Sequence, residues 1–396
     1  MSQRSESLEQ FAIDVILERR HGFRAGLLRG VLYALSFVYQ DVVQLRLFLY
    51  RHRIFRERTL GCLVVSIGNL TVGGTGKTPI VEKFARALNN GGRRVAILSR
   101  GYKSVPQPPP KKFGFFRARK TPLPPRVVSD GKSLLLDSTT AGDEPYMLAS
   151  NLKNVVVLVD KDRVKAGKYA IKEFGVDTLL LDDGLQYLHL KHRLDIVLID
   201  RQAPFGNEHL LPRGTLREPP ENLRRASYIF ITKSTGDPDE ELRARIRGYN
   251  RTAEIIECAH QPLYLQNVFT GAQLPLERLR DTFIGSLCGI AAPESFEGGL
   301  RKLGAKIELA KRYTDHHRYT EAELQRFVNR CIRRDLAMIV TTEKDAVRFP
   351  RLTNPQVPIY FLRVEIEILS GHESWDQCVA RICQPQPMIS PERFFS

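Results

Sequence analysis

The segment CLVVSIGNLTVGGTGKTP, residues 62–79, decides the fold. It opens with an apolar run of strand length and continues into a glycine-rich turn. From Pro79 to Asn89 the apolar residues instead follow helical spacing. A strand, a glycine-rich loop and a helix in this order predict the first unit of a parallel α/β sheet.

The loop between this strand and helix, TVGGTGKT (71–78), has the composition of a phosphate-binding loop. Small residues let successive backbone N–H groups point at phosphate oxygens, a lysine reaches the β- and γ-phosphates, and a hydroxyl holds Mg²⁺. The pattern GxxxxGK[ST] has glycine where Thr71 stands, so the loop is a variant of it. A nucleoside triphosphate is the predicted ligand, and the candidate binding residues are Gly73, Gly74, Thr75, Gly76, Lys77 and Thr78.

Further apolar runs of strand length follow this unit, with helical stretches between several of them. The alternation predicts a doubly wound, mostly parallel sheet of the P-loop NTPase type. A basic, proline-rich stretch at 105–125 reads as a long loop. The predicted strands lie at 94–99, 154–160, 177–183, 194–200 and 227–233.

A second, shorter series of strands and helices follows a turn-rich stretch and predicts a smaller C-terminal α/β domain. The predicted division is an amphipathic helix region at 1–58, a P-loop domain at 59–261, a linker at 262–280 and the smaller domain at 281–396.

Between Gly26 and Phe48, apolar residues recur at helical spacing, and arginines flank them on both sides. Such an amphipathic helix suits either the surface of an anionic membrane or the protein's own core, and both interpretations remain open. Its most apolar stretch, GVLYALSFVYQ (30–40), is too short to span a bilayer, which needs about 20 residues. The polar N-terminal segment does not resemble a secretory signal.

The chain has 396 residues and a formal net charge of +16, which favours partners that carry phosphate. Nucleotide, anionic lipid and nucleic acid all qualify, but nucleic acid is not expected because the sequence has no helix-turn-helix, RRM or zinc-finger signature. The six cysteines are scattered without a CxxC pair, which favours a reducing compartment over a zinc site.

Acidic residues at strand ends are the candidates for holding the metal that accompanies a P-loop. Asp182 and Asp183 follow the apolar run DTLLL and meet this requirement. Asp160 and Asp200 also end predicted strands, so they remain alternatives.

Two other polar blocks allow either a catalytic or a structural interpretation. In AGDEPY (141–146) the acids could simply occupy the first turn of a helix, where the helix dipole favours them. In TDHH (314–317) the histidines could be exposed loop residues. Histidine is nevertheless the side chain best suited to proton transfer near neutral pH.

Taken together, nine blocks resemble the tetraacyldisaccharide 4'-kinase family, the lipid A 4'-kinases of Gram-negative bacteria. They follow the family's order between residue 64 and about residue 350, and the ordered set is highly specific. The chain departs from the family at Tyr187, where histidine is common. The blocks are SIGNLTVGGTGKTP (66–79), LSRGY (98–102), AGDEPYMLA (141–149), DDGLQ (182–186), LLPRGTLREP (210–219), ITK (231–233), GIAAPESF (289–296), DHHRYT (315–320) and TTEKDAVR (341–348).

The resemblance implies a kinase that uses ATP and Mg²⁺ to phosphorylate the 4'-hydroxyl of a tetraacylated, lipid-linked glucosamine disaccharide. It implies a peripheral protein at the cytoplasmic face of the inner membrane, with its site between two α/β domains. Lys77 would hold phosphate, and Asp143 would pair with His316, in preference to His317, when the cleft closes around the disaccharide. The implied metal residues are Thr78, Asp182, Asp183, Glu144 and Glu218.

A P-loop GTPase or regulatory NTPase switch is the alternative function. A GTPase usually reads guanine with an [NT]KxD element after a late strand. In this chain Thr232-Lys233-Ser234-Thr235 lacks the aspartate, and Glu343-Lys344-Asp345 has the wrong spacing. The motifs therefore favour the kinase.

Overall fold

One mixed sheet runs through the computed structural model, which describes residues 3–101, 104, 123–352 and 355–384. Its strand order is β11-β10-β12-β13-β8-β7-β6-β1-β5-β2-β4-β3, and β9 pairs with β8. The strands are β1 (Leu63–Asn69), β2 (Val95–Ser99), β3 (Arg126–Asp130), β4 (Val156–Val159), β5 (Thr178–Asp182), β6 (Leu194–Asp200), β7 (Tyr228–Thr232), β8 (Glu254–Asn267), β9 (Gln273–Leu274), β10 (Phe283–Cys288), β11 (Lys306–Arg312), β12 (Met338–Thr342) and β13 (Ile359–Ser370).

Helices cover the sheet, and side chains at their first turns fix where several of them begin. Asp162 caps α6, and Thr320 forms a capping box with Glu323 at the start of α9. The helices are α1 (Gln3–Ile16), α2 (Phe23–Arg51), α3 (Lys77–Asn90), α4 (Ser138–Ala141), α5 (Asp143–Asn151), α6 (Arg163–Phe174), α7 (Glu240–Tyr249), α8 (Pro293–Lys302), α9 (Glu321–Ile332), α10 (Glu343–Ala346) and α11 (His372–Cys383), with short 3-10 turns at Pro220–Arg225 and Leu276–Leu279.

The sheet consists of two mostly parallel halves, and the strands of one half run in the opposite direction to those of the other. Strands β1–β7 form the first lobe and β10–β12 the second lobe, and the long strands β8 and β13 pair antiparallel as a ribbon between them. β7 ends beside Glu257 of β8, and β12 ends beside Leu362, which pairs with Leu265 of β8. The carboxyl ends of the strands of both lobes therefore face each other across the middle of the ribbon, which is where ligands bind in α/β sheets.

The predicted strands of the first lobe are all present, and they are buried because helices cover both faces of a parallel sheet. The P-loop helix begins at Lys77, two residues before the predicted start. The antiparallel edge strand β3 and helix α1 were not predicted. The predicted basic loop at 105–125 lies outside the described residues except for 123–125.

The predicted domain boundaries need correction. Residues 262–267, predicted as linker, continue strand β8, so no break separates the lobes there. Helix α11, predicted as part of the smaller domain, packs on the first lobe, where Trp375 contacts the rings of Phe84 and Phe230 at centroid distances of 4.7 and 6.2 Å. The chain returns to the first lobe because the carboxyl half of β13 leads it back along the ribbon.

Helix α2 carries an apolar stripe along one face that is exposed among the described residues. Its residues follow each other at spacings of three or four, which places them on the same side of a helix. The opposite side contacts the first lobe, where the Tyr39 hydroxyl donates to the Arg217 carbonyl oxygen at 2.9 Å. Within the described residues, no helix is long and apolar enough to cross a membrane. The apolar stripe consists of the exposed residues Phe23, Leu27, Val31, Leu35, Val38, Val42 and Leu45.

Candidate functional site

The glycine-rich loop joins β1 to α3 at the carboxyl edge of the first lobe. β1 lies between β5 and β6, so the loop lies at the carboxyl edge of the first lobe and borders the crevice between the two lobes. Gly73 and Gly76 have φ values of 119° and 78°, which favour glycine. A Cβ at Gly76 would also lie 2.8 Å from Cε1 of His260. The Lys77 ammonium donates to Asn69 Oδ1 at 3.1 Å, and its position at the start of α3 points it into this crevice.

Asp182 and Asp183 end the neighbouring strand β5 and have opposite electrostatic environments. Burial, followed by the negative charges of Glu144 and Asp183, raises the pKa of the Asp182 carboxyl above its ordinary value. Burial also acts to raise the pKa of Asp183, but the positive charges of Lys77 and Arg217 outweigh it and hold that pKa below its ordinary value. Arg217 Nη1 lies 2.8 Å from each carboxylate oxygen of Asp183, and Lys77 Nζ lies 3.7 Å from Oδ1.

Each of the two alternative strand-end acids forms an ion pair with a lysine. Asp160 forms an ion pair with Lys165, and Asp200 forms one with Lys233. Asp160 follows β4, which β5 and β2 separate from β1, whereas Asp200 ends β6, which pairs with β1 on the side opposite β5. The contact of Asp183 with the P-loop lysine Lys77 favours the Asp182–Asp183 pair, and Asp200 is the alternative that also borders the P-loop strand.

Among the other predicted metal residues, Thr78 lies in the first turn of α3, directly after the P-loop lysine. Glu144 is half-buried, and its charge acts on Asp182. Glu218 has a different environment from the one expected: it is buried, and its oxygens accept hydrogen bonds from Arg225 at 2.6 Å, Asn222 at 2.8 Å and Gln186 at 3.1 Å. Asp183 is paired with protein donors in the same way, so these contacts do not exclude a metal role and Glu218 stays a predicted metal residue.

Within the described part of the chain, no three His, Cys, Asp or Glu side chains converge into a set that could hold a metal by themselves. A P-loop site does not require one, since Mg²⁺ commonly takes one or two protein oxygens and completes its shell with phosphate and water.

Asp143 connects the two lobes. It is the first residue of α5, as the structural interpretation of the acids expected, but its buried carboxylate is bound by side chains of the second lobe. Asp143 Oδ2 lies 3.0 Å from His316 Nδ1 and 2.8 Å from Arg348 Nε, and Oδ1 lies 2.9 Å from Arg318 Nη2. Burial acts to raise the pKa of Asp143, but the hydrogen bond from His316 and the charges of Arg348 and Arg318 hold it below its ordinary value.

This contact sets the hydrogen-bonding roles of the His316 ring. An ionised carboxylate only accepts hydrogen bonds, so Nδ1 of His316 must donate to Asp143. In the neutral imidazole, Nε2 then carries the lone pair and can accept a proton. His317 is placed differently, because its ring stacks on Tyr313 at 4.3 Å and its Nε2 lies 3.3 Å from Glu323 of the same lobe.

Comparison with known proteins identifies the family. A family model described as Tetraacyldisaccharide-1-P 4'-kinase matches residues 28–384. The chain belongs to this family. It is 39% identical to the tetraacyldisaccharide 4'-kinase of Anaeromyxobacter dehalogenans over 86% of its own length and 87% of the relative's. It is 31% identical to that of Halothermothrix orenii, over 92% and 95% of the two chains.

A solved structure has the same architecture. The crystal structure of LpxK from Aquifex aeolicus, described as in complex with ATP, aligns with a TM-score of 0.69 at 27% identity. The alignment covers 90% of this chain and 99% of the solved one. The kinase-family resemblance inferred from the ordered sequence blocks is thus confirmed, as is the largely parallel α/β sheet.

The structure brings Asp143 and His316 into contact at 3.0 Å, and the dependence of this contact on closure of the cleft around the disaccharide stays a prediction. It also places three arginines of this kinase at the site that carried no predicted role, namely Arg217, Arg318 and Arg348. Arg318 and Arg348 lie inside the family blocks DHHRYT and TTEKDAVR. Their presence in those blocks was the available signal, but sequence gives no partner for a residue 205 positions from Asp143.

Proposed function

We propose that this chain transfers the γ-phosphoryl group of ATP to the 4'-hydroxyl of a tetraacylated glucosamine disaccharide 1-phosphate, in lipid A biosynthesis. The observation that carries the proposal is that two groups of polar residues, here called half-sites, lie at the carboxyl edges of the two lobes and face each other across the ribbon. Lys77 reaches the crevice from the carboxyl edge of the first lobe, and His316, oriented by Asp143, reaches it from that of the second. Family membership supports this kinase over a regulatory NTPase or GTPase switch.

The P-loop residues bind and orient the nucleotide. Backbone N–H groups of Gly73, Gly74, Thr75 and Gly76 and the N-terminus of α3 favour phosphate oxygens, and Lys77 places a positive charge on the β- and γ-phosphates. Lys77 is held near Asp183 and Asn69 in this structure, so it exchanges these partners for phosphate. In phosphoryl transfer this positioning and charge stabilisation supply most of the catalysis.

The Asp143–His316 pair accepts the proton of the sugar hydroxyl at Nε2. Asp143 stabilises the imidazolium that forms, because its carboxylate is ionised and lies 3.0 Å from Nδ1. The arginines beside Asp143 fix its position, since both of its oxygens have a cationic donor. The pair therefore supplies an oriented base for a weak nucleophile.

Mg²⁺ fits the donors that this site offers. Thr78 contributes a hydroxyl and Asp182 a carboxylate, with Asp183 and Glu144 nearby, and hard oxygen donors suit Mg²⁺. Burial is the main cause of the raised pKa of Asp182, followed by the negative charges of Glu144 and Asp183, and a divalent cation bound there would favour the ionised carboxylate. When bound, the ion would neutralise charge on the β- and γ-phosphate oxygens.

The apolar stripe of α2 gives a physical basis for the lipid substrate and for peripheral binding to an anionic membrane, at the cytoplasmic face of the inner membrane. An apolar helix face with arginines at both ends suits the membrane surface. The opposite face of α2 touches the site, because Arg46 Nη2 donates to the Gln186 carbonyl oxygen at 3.0 Å and Tyr39 contacts Arg217. A lipid-anchored sugar at that surface would therefore lie close to Asp183 and the P-loop.

A transfer assay tests the proposed activity. The purified full chain is incubated with Mg²⁺ and ATP labelled at the γ-phosphate, with the tetraacylated disaccharide 1-phosphate in mixed micelles. We expect label on the disaccharide, and none on the same disaccharide already phosphorylated at its 4'-position or on a nucleic acid control. Release of label as inorganic phosphate at the same rate with and without the acceptor would contradict the proposal.

Replacing part of the apolar stripe should weaken membrane binding. In the variant Leu27→Gln, Val31→Gln, Leu35→Gln we expect at least tenfold less protein to float with anionic vesicles, and deletion of residues 1–58 should do the same. High salt should weaken binding of the intact chain, since the Debye length is about 8 Å at physiological ionic strength. The matched control is Ile332→Gln, an exposed apolar residue on α9. If the stripe variant floats as well as the control, α2 does not bind lipid.

A further inference from the structure

The family block TTEKDAVR (341–348) contains three consecutive charged residues whose side chains point to three different regions. β12 ends at Thr342, and the short helix α10 begins at Glu343. Asp345 is buried within the second lobe, where it accepts hydrogen bonds from the backbone N–H of Gly289 at 3.0 Å and the Tyr319 hydroxyl at 2.9 Å. The block thus has one fixed anchor in its own lobe.

Glu343 supplies a second anchor that reaches the P-loop helix. Its carboxylate accepts hydrogen bonds from Arg363 Nη1 at 3.1 and 2.9 Å and from Asn151 Nδ2 at 2.6 Å. The other Nη atom of Arg363 pairs with Glu82 of α3, the helix that begins with Lys77. Because the residues on both sides of Lys344 are tied down, the backbone of Lys344 is held in a defined position relative to the P-loop helix.

The side chain of Lys344 points into the crevice between the lobes. Its ammonium nitrogen lies 3.3 Å from Nε2 of His316, 3.4 Å from Asp315 Oδ1 and 3.7 Å from Glu144 Oε1. Glu144 in turn acts electrostatically on Asp182, so the ammonium lies one side chain away from the proposed metal-binding carboxylate. Lys344 therefore approaches the reacting groups from the second lobe, as Lys77 does from the first.

We propose that Lys344 is a second catalytic lysine, which contacts the transferring phosphoryl group. The inference rests on the proposed kinase function. In the structure the ammonium donates to Nε2 of His316, the atom that must accept the proton of the sugar hydroxyl. The acceptor hydroxyl has to replace Lys344 at that atom, and the displaced cation then lies beside the incoming phosphoryl oxygens, where negative charge must be stabilised.

In the transfer step one bond to the γ-phosphorus forms and one breaks. The acceptor oxygen forms a bond to the γ-phosphorus, the bond from that phosphorus to the bridging oxygen breaks, and ADP leaves with the bonding electron pair. The hydroxyl proton moves to Nε2 of His316. Lys344 stays protonated throughout and supplies charge from the lobe opposite the P-loop, in the manner of a cation contributed in cis to other phosphoryl-transfer enzymes.

Lys344→Met tests the inference with two readouts. We expect kcat to fall on the order of 10²-fold or more, as for removal of one donor to transition-state charge. Affinity for ADP plus aluminium fluoride, measured with Mg²⁺ and the disaccharide, should fall at least tenfold, while affinity for ADP alone stays within twofold. Lys344→Arg, which keeps the charge, should recover part of both losses. If the Met variant melts at a lower temperature than the wild type, Lys344→Gln replaces it in both measurements.

The matched control is Lys165→Met, an ion-paired lysine of similar exposure on α6, which should leave both readouts within twofold of the wild type. An equal loss of affinity for ADP and for the fluoride complex would show a structural role and overturn the inference, as would a wild-type kcat. Failure of the wild-type chain itself to phosphorylate the disaccharide would instead overturn the proposed function, so the two failures are distinguishable.

Discussion

Lys77→Ala should abolish turnover while leaving the fold intact. The lysine is the first residue of α3, and its ammonium contacts two polar groups of the site, Asn69 at 3.1 Å and Asp183 at 3.7 Å. Its removal takes a positive charge from the β- and γ-phosphates at the point where negative charge must be stabilised. We expect kcat to fall by on the order of 10³-fold or more, measured as transfer of the γ-phosphate to the disaccharide.

A lysine on the same helix provides the control for this variant. Lys83 lies six residues further along α3, where its ammonium donates to the Ile366 carbonyl oxygen at 3.0 Å. Lys83→Ala should keep kcat within a few-fold of the wild type, and both variants should melt close to the wild-type temperature. Activity of Lys77→Ala within a factor of two of the wild type would contradict the assignment of residues 71–78 as a phosphate-binding loop.

The P-loop unit could be predicted from sequence because its signals are local. Seven consecutive buried residues in β1, glycines at positive φ and the start of helical periodicity all lie within about 30 residues. The acids after β5 could be predicted for the same reason, since strand ends that flank a P-loop are recognisable from apolar runs. These signals indicate which residues occupy the carboxyl edge of the first lobe, but they do not indicate which residues of the second lobe face that edge.

The position of the domain boundary could not be predicted, because strand β8 contains a residue that usually interrupts strands. Pro262 pairs with Val364 of β13 next to an irregularity in the register, and a bulge of this kind accommodates proline within a sheet. Local composition therefore indicated a turn where the ribbon in fact continues. The ribbon is also what makes the two carboxyl edges face each other, so the location of the site between the two α/β lobes was available only through the family resemblance.

Contacts across the lobes illustrate the same limit. Asp143 and His316 are 173 residues apart, and periodicity or spacing carries no information on that distance. The pairing was available only through resemblance to a family. The arginines that hold Asp143 were not predicted at all, because an arginine in a polar loop has many solvent-exposed roles and its partner is visible only in three dimensions.

The Asp143–His316 pair should behave as a single catalytic unit. The carboxylate accepts from Nδ1 at 3.0 Å, which leaves Nε2 as the proton acceptor, and neither residue can perform this role without the other. We therefore expect Asp143→Asn and His316→Ala each to lower kcat by on the order of 10²-fold or more. The double variant should lose little beyond the worse single variant, whereas independent residues would give the product of the two losses.

Two further measurements separate catalysis from structure in this pair. Asp143 also accepts from Arg348 and Arg318, so Asp143→Asn is expected to loosen the contact between the lobes. Its melting temperature must be compared with that of Arg318→Gln, which removes the bond to Asp143 and those to Ser138 without touching His316. His317→Ala should keep most of the activity, because that ring stacks on Tyr313 and its Nε2 lies beside Glu323. An active His316→Ala enzyme together with an inactive His317→Ala enzyme would transfer the role of base to His317. Multiplicative losses in the double variant would show that Asp143 and His316 act separately, with Asp143 serving the interface between the lobes.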